Sequence, residues 1–186
     1  MLDVGSGHQP NRRANVILEK YIHETIHRTT QKIVIPIDKN LVVADAHFIP
    51  FKNKSFDYVI ASHIGEHVDN PIKFCAELQR VAKKGYIETP GPLTEFMMPT
   101  KSHKWVVKKS GNKLIFRENK NYKPFSLTFF RIFYLNREGY VEKTLFSNNI
   151  LLKLINFILI KTWKFVPSAY TIIKWDNEFK TELLLE

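Results

Sequence analysis

Short apolar runs alternate with polar and helical segments through the first ninety residues of the chain. This alternation is typical of parallel strands, because each crossover between two parallel strands must pass over a face of the sheet. We therefore expect an α/β fold with a doubly wound, mostly parallel sheet. The pattern predicts strands at Leu2–Val4, Val16–Glu19, Leu41–Ala44, Asp57–Ser62 and Gly85–Glu88.

One segment between the last two of these strands has the spacing of an amphipathic helix. The sequence DNPIKFCAELQRVAKK begins with Asp69 or Asn70 as a capping residue and has Pro71 in the first turn, and both features mark helix starts. A right-handed crossover would place this helix on one face of the sheet. Its apolar positions are Ile72, Cys75, Ala76, Leu78, Val81 and Ala82.

The second half of the chain has a different pattern. The sequence HKWVVKKSGNKLIFRE contains two alternating runs around a turn at 110–112 and predicts a β-hairpin. Residues 148–166 are the most apolar stretch, interrupted by three lysines and Asn156. That stretch is at the short edge of what a membrane-spanning helix needs, so it predicts a buried or interface helix, with a membrane-surface helix as the alternative.

Composition narrows the class of protein. With 186 residues, 44% of them hydrophobic and 25% charged, the chain has the composition of an ordinary globular domain. Cys75 is the only cysteine, so the chain contains no disulfide framework and a reducing compartment is expected. No signal-peptide pattern opens the sequence, and we expect a cytoplasmic location.

The net charge of +10 is unevenly distributed. Residues 1–100 carry 12 basic and 11 acidic groups, whereas residues 101–186 carry 16 and 7. A clustered excess of Lys and Arg can face nucleic acid, anionic lipid or a phosphorylated substrate. It can equally be a solvated basic surface without a partner.

The turn after the first strand suggests a ligand site. Gly5 and Gly7 follow that strand, where glycines let a backbone approach a ligand at the switch point of the sheet. The third glycine of a dinucleotide fingerprint is missing at 8–10, and HQPNRRA is a poor helix start, so a pyrophosphate ligand is disfavoured. Glu19 ends the second strand, where a carboxylate commonly grips ribose hydroxyls; the alternative is an exposed acid at a strand end.

Three motifs in order, LDVGSG, VVADAHFIPFKNKSFDYVIASHIGEHV and ELQRVAKKGYIETP, resemble the class I S-adenosylmethionine-dependent methyltransferase family, especially its small-molecule-type domains. The resemblance covers about the first ninety residues. It implies a Rossmann-like methyltransferase fold, S-adenosyl-L-methionine as cofactor, and one domain over 1–186. Residues 1–92 would bind the cofactor, and residues 93–186, with the hairpin and apolar helix, would bind the acceptor or serve assembly. Only a short irregular connection fits between Gly7 and Glu19.

The resemblance also implies a cofactor-binding set. Asp3 would face the amino group of the methionine part, Glu19 the ribose hydroxyls, and Asp45 the adenine amino group. The remaining members would be the two glycines of the turn, the Ala46 amide against the adenine ring, and two residues near the sulfonium. The full set is Asp3, Gly5, Gly7, Glu19, Asp45, Ala46, Ser62 and His63.

Methyl transfer from a sulfonium is an in-line displacement that needs mainly alignment and exclusion of water. A general base helps only where the acceptor must lose a proton, and His63, Glu66 and His67 are placed for that role at the end of the fourth strand. Capping and hydrogen bonding within the loop are the alternative for these three. The candidates that would line the acceptor pocket are Glu95, His103 and Trp105.

Residues 63–67 also match a motif that would imply a different function. HIGEH is the His-x-x-Glu-His pattern of inverted zinc proteases, which requires a stable helix to bring two histidines to one metal. A strand directly before His63, Gly65 inside the motif and the sequence DNP after it disfavour that helix. We therefore expect no metal.

The predicted function is methyl transfer to a small-molecule acceptor. One alternative is a methyltransferase-like binding module without turnover. Another is an RNA methyltransferase, suggested by aromatic residues among the lysines of the second half. A homodimer and peripheral membrane contact through 148–166 are further candidate interactions. The aromatic residues are Trp105, Phe116, Tyr122 and Phe125.

Overall fold

A six-stranded sheet in the order β3-β2-β1-β4-β5-β8 forms the centre of the fold in the computed structural model, which describes residues 1–22, 35–97, 99–120 and 169–185. Neighbouring strands are parallel except for β8, which runs antiparallel to β5. The predicted mostly parallel, doubly wound α/β class is confirmed. The strands are β1 (Leu2–Val4), β2 (Val16–Glu19), β3 (Asn40–Val43), β4 (Phe56–Ser62), β5 (Ala82–Pro90) and β8 (Tyr170–Asp176).

The sequence predicted the first two strands residue for residue and the third within one residue. The fifth strand is longer than the predicted Gly85–Glu88, because β8 pairs with it from Lys84 to Pro90 and keeps it extended. The ring of Trp175 on β8 occupies the space that a side chain at Gly85 would fill. The order of strands reverses at β1, which lies between β2 and β4 and so forms the switch point of the sheet.

Helix α1 (Pro71–Val81) crosses from β4 to β5 as predicted. Its N-cap is Asn70, whose side chain accepts a hydrogen bond from the amide of Lys73 at 3.0 Å. The helix ends because Ala82 adopts an extended conformation and begins β5. The buried positions are Pro71, Phe74, Cys75, Leu78 and Val81. The predicted apolar positions Ile72 and Ala76 are exposed instead, because the buried face of the helix is centred on Phe74 and its neighbours one turn away, and Ile72 and Ala76 lie on the opposite side.

A second sheet has three strands in the order β6-β7-β9. β6 (Trp105–Ser110) and β7 (Lys113–Glu118) are antiparallel, which confirms the predicted hairpin, and Gly111 in its turn has a φ of +57°. β9 (Lys180–Leu184) joins β7 in parallel. Thr171 donates a hydrogen bond to the Val107 carbonyl at 2.7 Å and so ties the two sheets together. A short helix, α2 (Pro92–Met97), precedes the hairpin.

The connection from β1 to β2 contains turns and no helix over residues 5–15, as expected. Among the described residues, no helix is long and apolar enough to span a membrane. The predicted apolar helix at 148–166 lies outside the described residues, as do Tyr122 and Phe125. The division of 1–186 into a cofactor half and an acceptor half stays a prediction.

Candidate functional site

The turn after β1 lies at the switch point and has the geometry of a ligand cradle. Gly5 and Gly7 have φ values of +69° and +58°, a region that favours glycine. A Cβ at Gly5 would lie 2.6 Å from Cδ1 of Ile64, so the loop after β4 packs directly on this turn. A Cβ at Gly7 would meet none of the described residues within 4 Å, so these leave open space against its backbone.

Glu19 lies beneath this turn, at the end of β2. Its side chain is buried, with the residue 4% exposed, and Oε1 accepts hydrogen bonds from the Gly7 amide at 2.6 Å and from the Ser6 hydroxyl at 3.2 Å. The alternative of an exposed acid at a strand end is therefore wrong. The contact of Glu19 with a ribose stays a prediction.

Asp3 is the second buried carboxylate at the turn. The residue is 4% exposed, and Oδ2 accepts a hydrogen bond from the Asn11 amide at 2.7 Å. Burial raises the pKa of Asp3 to about 6, opposed by the Asn11 hydrogen bond and assisted by the negative charge of Glu19. Two carboxylates thus lie under one glycine turn, where they can accept hydrogen bonds from ammonium and hydroxyl groups.

Asp45 and Ala46 follow β3, and Asp45 is already engaged within the chain. Its Oδ2 is 2.7 Å from Nζ of Lys20, and its Oδ1 accepts from the backbone and ring nitrogens of His47 at 2.9 and 2.6 Å. Burial acts to raise the pKa of Asp45, but the hydrogen bonds from Lys20 and His47 outweigh it and lower the pKa to about 2. Nε2 of His47 accepts from the Asn70 amide at 3.1 Å, which connects this corner to the start of α1.

His63 lies just past Ser62, the last residue of β4, in a left-handed conformation with φ of +55°. Its Nδ1 is 3.5 Å from Oε1 of Glu66, and its Nε2 is 3.4 Å from Oε1 of Glu88. Burial acts to lower the pKa of His63, but the two carboxylates outweigh it and raise the pKa to about 9. An imidazole that is protonated at neutral pH cannot accept a proton, so this environment opposes the predicted role of His63 as a base.

The sequence analysis missed Glu88 and His47. Glu88 lies two residues before the end of β5, opposite Ser62, and accepts a hydrogen bond from the Tyr86 hydroxyl. Its signal was available, because a carboxylate in YIETP follows an apolar run at the same edge of the sheet as the glycine turn. The role of His47 depends on the pairing of a loop with a distant helix start and has no local signal.

The remaining candidates meet at a second cluster beside the turn. Nδ1 of His67 donates to the Ser102 carbonyl at 3.0 Å, and Nδ1 of His103 lies 2.5 Å from Oε1 of Glu95. The two imidazole rings are in edge contact, with centroids 4.7 Å apart. Predicted catalytic residues and predicted acceptor residues are thus neighbours, together with the buried Glu66.

Trp105 is placed differently from the other predicted acceptor residues. It belongs to the hydrophobic core, is 7% exposed, and donates from Nε1 to the Val68 carbonyl at 2.7 Å.

Residues 63–69 form turns, and α1 begins only at Pro71, so the helix that an inverted zinc protease requires is not formed. The roles of Glu66, His67, Glu95, His103 and Trp105 towards substrate stay predictions.

Comparison with known proteins gives a family match over the region that contains the site. Residues 2–87 match the family model described as a methyltransferase domain. A search of the curated proteins gave no match.

Solved structures that are similar to this chain include the YcgJ protein from Bacillus subtilis, at 17% identity and a TM-score of 0.37. The PH0226 protein from Pyrococcus horikoshii OT3 is 22% identical with a TM-score of 0.38, and a SAM-dependent methyltransferase from Methanosarcina mazei is 14% identical with a TM-score of 0.38. The matches cover 48%, 57% and 59% of this chain and 43%, 59% and 66% of those chains, respectively.

Proposed function

We propose that this chain transfers a methyl group from S-adenosylmethionine to a small-molecule acceptor. The match of residues 2–87 to a methyltransferase-domain model supports the proposal. The observation that carries it is the open glycine turn at the switch point. Among the described residues nothing fills the space beside the Gly7 backbone, and the buried carboxylates of Asp3 and Glu19 lie at the same turn.

The residues present fit the cofactor. S-adenosylmethionine offers an ammonium group and two vicinal hydroxyls, all donors, and Asp3 and Glu19 are acceptors when ionised. Gly7 would hold the methionine part against bare backbone, while Gly5 lets the side chain of Ile64 pack on the turn. Asp45 and the Ala46 amide would meet the adenine, with Lys20 and His47 fixing the orientation of the Asp45 carboxylate.

When bound, the cofactor supplies a methyl group that its positive sulfur already activates. The chain then has to orient the acceptor and exclude water. The loop 62–67 is suited to that task, because it packs on the glycine turn through Ile64 and carries the charged His63 at the same edge.

A binding module without turnover is the second candidate. It is favoured by the environment of the candidate base His63, whose pKa is raised to about 9 by the carboxylates of Glu66 and Glu88, so that the imidazole is already protonated at neutral pH. Such a module would bind the cofactor and yield no methylated product.

Calorimetric titration with S-adenosylhomocysteine, with NAD as the comparison ligand, tests the proposal before any acceptor is known. We expect saturable binding of the first and no binding of the second. A folded chain that binds neither would refute the cofactor assignment. Incubation with radiolabelled S-adenosylmethionine and small-molecule extracts then separates an enzyme from a module, since only an enzyme transfers label.

A further inference from the structure

We propose that Glu66, His67 and His103 form a binding site for a divalent transition-metal ion, with zinc the best fit. Each of the three residues offers one ligand atom, and these atoms all lie within 4.8 Å of one another. They come from two segments, the loop after β4 and the turn before β6. The proposal concerns metal binding alone and does not depend on the cofactor or on methyl transfer.

The histidine tautomers favour coordination. The carbonyl of Ser102 can only accept, so Nδ1 of His67 donates to it and Nε2 is the ring nitrogen that would bind the metal. Nδ1 of His103 lies 2.5 Å from Oε1 of the Glu95 carboxylate, so Nε2 is the ring nitrogen of His103 that would bind the metal. Metal-binding histidines almost always donate their other ring nitrogen to a carbonyl or carboxylate in this way.

Glu66 supplies the independent observation. Its side chain is 1% exposed, and both carboxylate oxygens are buried without a hydrogen-bond partner among the described residues. The nearest ring nitrogens are Nδ1 of His63 at 3.5 Å and Nε2 of His67 at 3.9 Å. The His63 ring is too far from Oε1 for a close hydrogen bond and leaves Oε2 without a partner among the described residues, so a cation bound directly to the carboxylate would lower the cost of burying it.

The backbone holds the two segments together before any metal arrives. The amides of Lys104 and Trp105 both donate to the Glu66 carbonyl, at 2.8 and 3.2 Å, and the Trp105 indole donates to the Val68 carbonyl. Zinc bonds of about 2.0–2.2 Å put tetrahedral ligand atoms about 3.4 Å apart, so closure of the site needs side-chain shifts of about 1 Å. The segments themselves need not move.

The ligand types select the metal. Two imidazoles with one carboxylate are a known zinc set that leaves a fourth position for water or a substrate atom, whereas magnesium prefers oxygen ligands alone.

The proposal revises two expectations from the sequence. It replaces the predicted absence of a metal, and it removes His67 as a general base, because a nitrogen bound to metal cannot also take a proton.

Zinc titration of the metal-stripped chain, followed by metal analysis after dialysis, tests the site directly. We expect one zinc per chain, bound more tightly than about 1 µM, and no binding of magnesium under the same conditions. Glu66→Gln, His67→Ala and His103→Ala should each weaken zinc binding at least 100-fold. Glu95→Gln, which acts through His103, should weaken it about 10- to 100-fold.

His8→Ala is the matched control, because His8 is exposed and lies outside the cluster. It should bind zinc as the wild type does. Glu66→Gln keeps the shape of the side chain and removes the buried charge, so it should fold; zinc should raise the melting temperature of the wild type and leave that of this variant unchanged. Equal zinc binding by Glu66→Gln and the wild type, or no zinc retained by the wild type, would overturn the proposal.

Discussion

The backbone amide of Gly7 donates a hydrogen bond of 2.6 Å to the carboxylate of Glu19, and this contact joins the turn after β1 to the end of β2. Glu19 therefore shapes the turn. Under the proposed function the same side chain would meet the cofactor, and it would then couple the conformation of the glycine turn to the affinity of the site.

Glu19→Gln tests that coupling. The glutamine can still accept from the Gly7 amide but exchanges one acceptor oxygen for a donor, so it should weaken S-adenosylhomocysteine binding by about 1.5–3 kcal/mol, the scale of a hydrogen bond to a charged group. That loss corresponds to about 10- to 100-fold in the dissociation constant. Calorimetry is the measurement. Asp57→Ala is the control, because Asp57 is exposed and away from the turn; equal affinities in the two variants would remove Glu19 from the site.

Gly7→Ala and Gly111→Ala form a matched pair. The two glycines have nearly the same φ, +58° and +57°, and within the described part of the chain a Cβ at either one meets nothing within 4 Å. Both variants should lose about 1–2 kcal/mol of stability in urea unfolding, the cost of a left-handed non-glycine residue. Only Gly7→Ala should also weaken S-adenosylhomocysteine binding, because its methyl group enters the space that the cofactor would use. Similar binding by both variants contradicts the cradle.

The raised pKa of Asp3 makes stability depend on pH. Its carboxyl pKa moves from 3.8 to about 6 on folding, so its stabilising contribution is complete below pH 3.8 and is lost as the pH rises through 6. Relative to Asp3→Asn, the wild type should lose about 3 kcal/mol between pH 3 and 7, at 1.36 kcal/mol per pKa unit. Urea unfolding of both chains across that range measures the difference. A constant difference would mean that Asp3 titrates normally.

Two positions of helix α1 separate the buried face from the exposed one. Phe74 is fully buried, and Phe74→Ala should cost about 3–5 kcal/mol in the free energy of unfolding. Ile72, which the sequence pattern assigned to the apolar face, is 39% exposed, and Ile72→Ala should change stability by no more than about 0.5 kcal/mol. Thermal or urea unfolding decides between the two assignments, since the opposite order would restore the sequence-based face.

Local pattern was sufficient for the first half of the fold. Strands such as Val16–Glu19 are short apolar runs bounded by polar turns. The start of α1 is marked in the sequence by the capping residue Asn70 and by Pro71 in the first turn. Its buried face was harder to assign, because Ile72 and Phe74 are both apolar and fit different helical phases. Only packing against the sheet chooses between them.

Long-range pairing explains what the sequence did not predict. β9 joins β7 with Lys180 opposite Lys113, and no local feature of either strand encodes that register. For the same reason the cluster of Glu66 with His103 was seen only as two separate candidate groups. Residues from distant segments become a site only when the backbone bonds between those segments are known.

The Trp175 ring over Gly85 has a consequence for how the last strand of the large sheet finds its place. A slip of one residue would set the indole against Lys84 or Tyr86, where a side chain already stands, and would turn every side chain of β8 to the opposite face. The absence of a side chain at Gly85 on β5 thus leaves the space that the Trp175 ring on β8 occupies. A shifted register would bring the indole into a steric clash with a neighbouring side chain. The pairing of Trp175 with Gly85 therefore fixes the register of β8, although this strand comes from far along the chain.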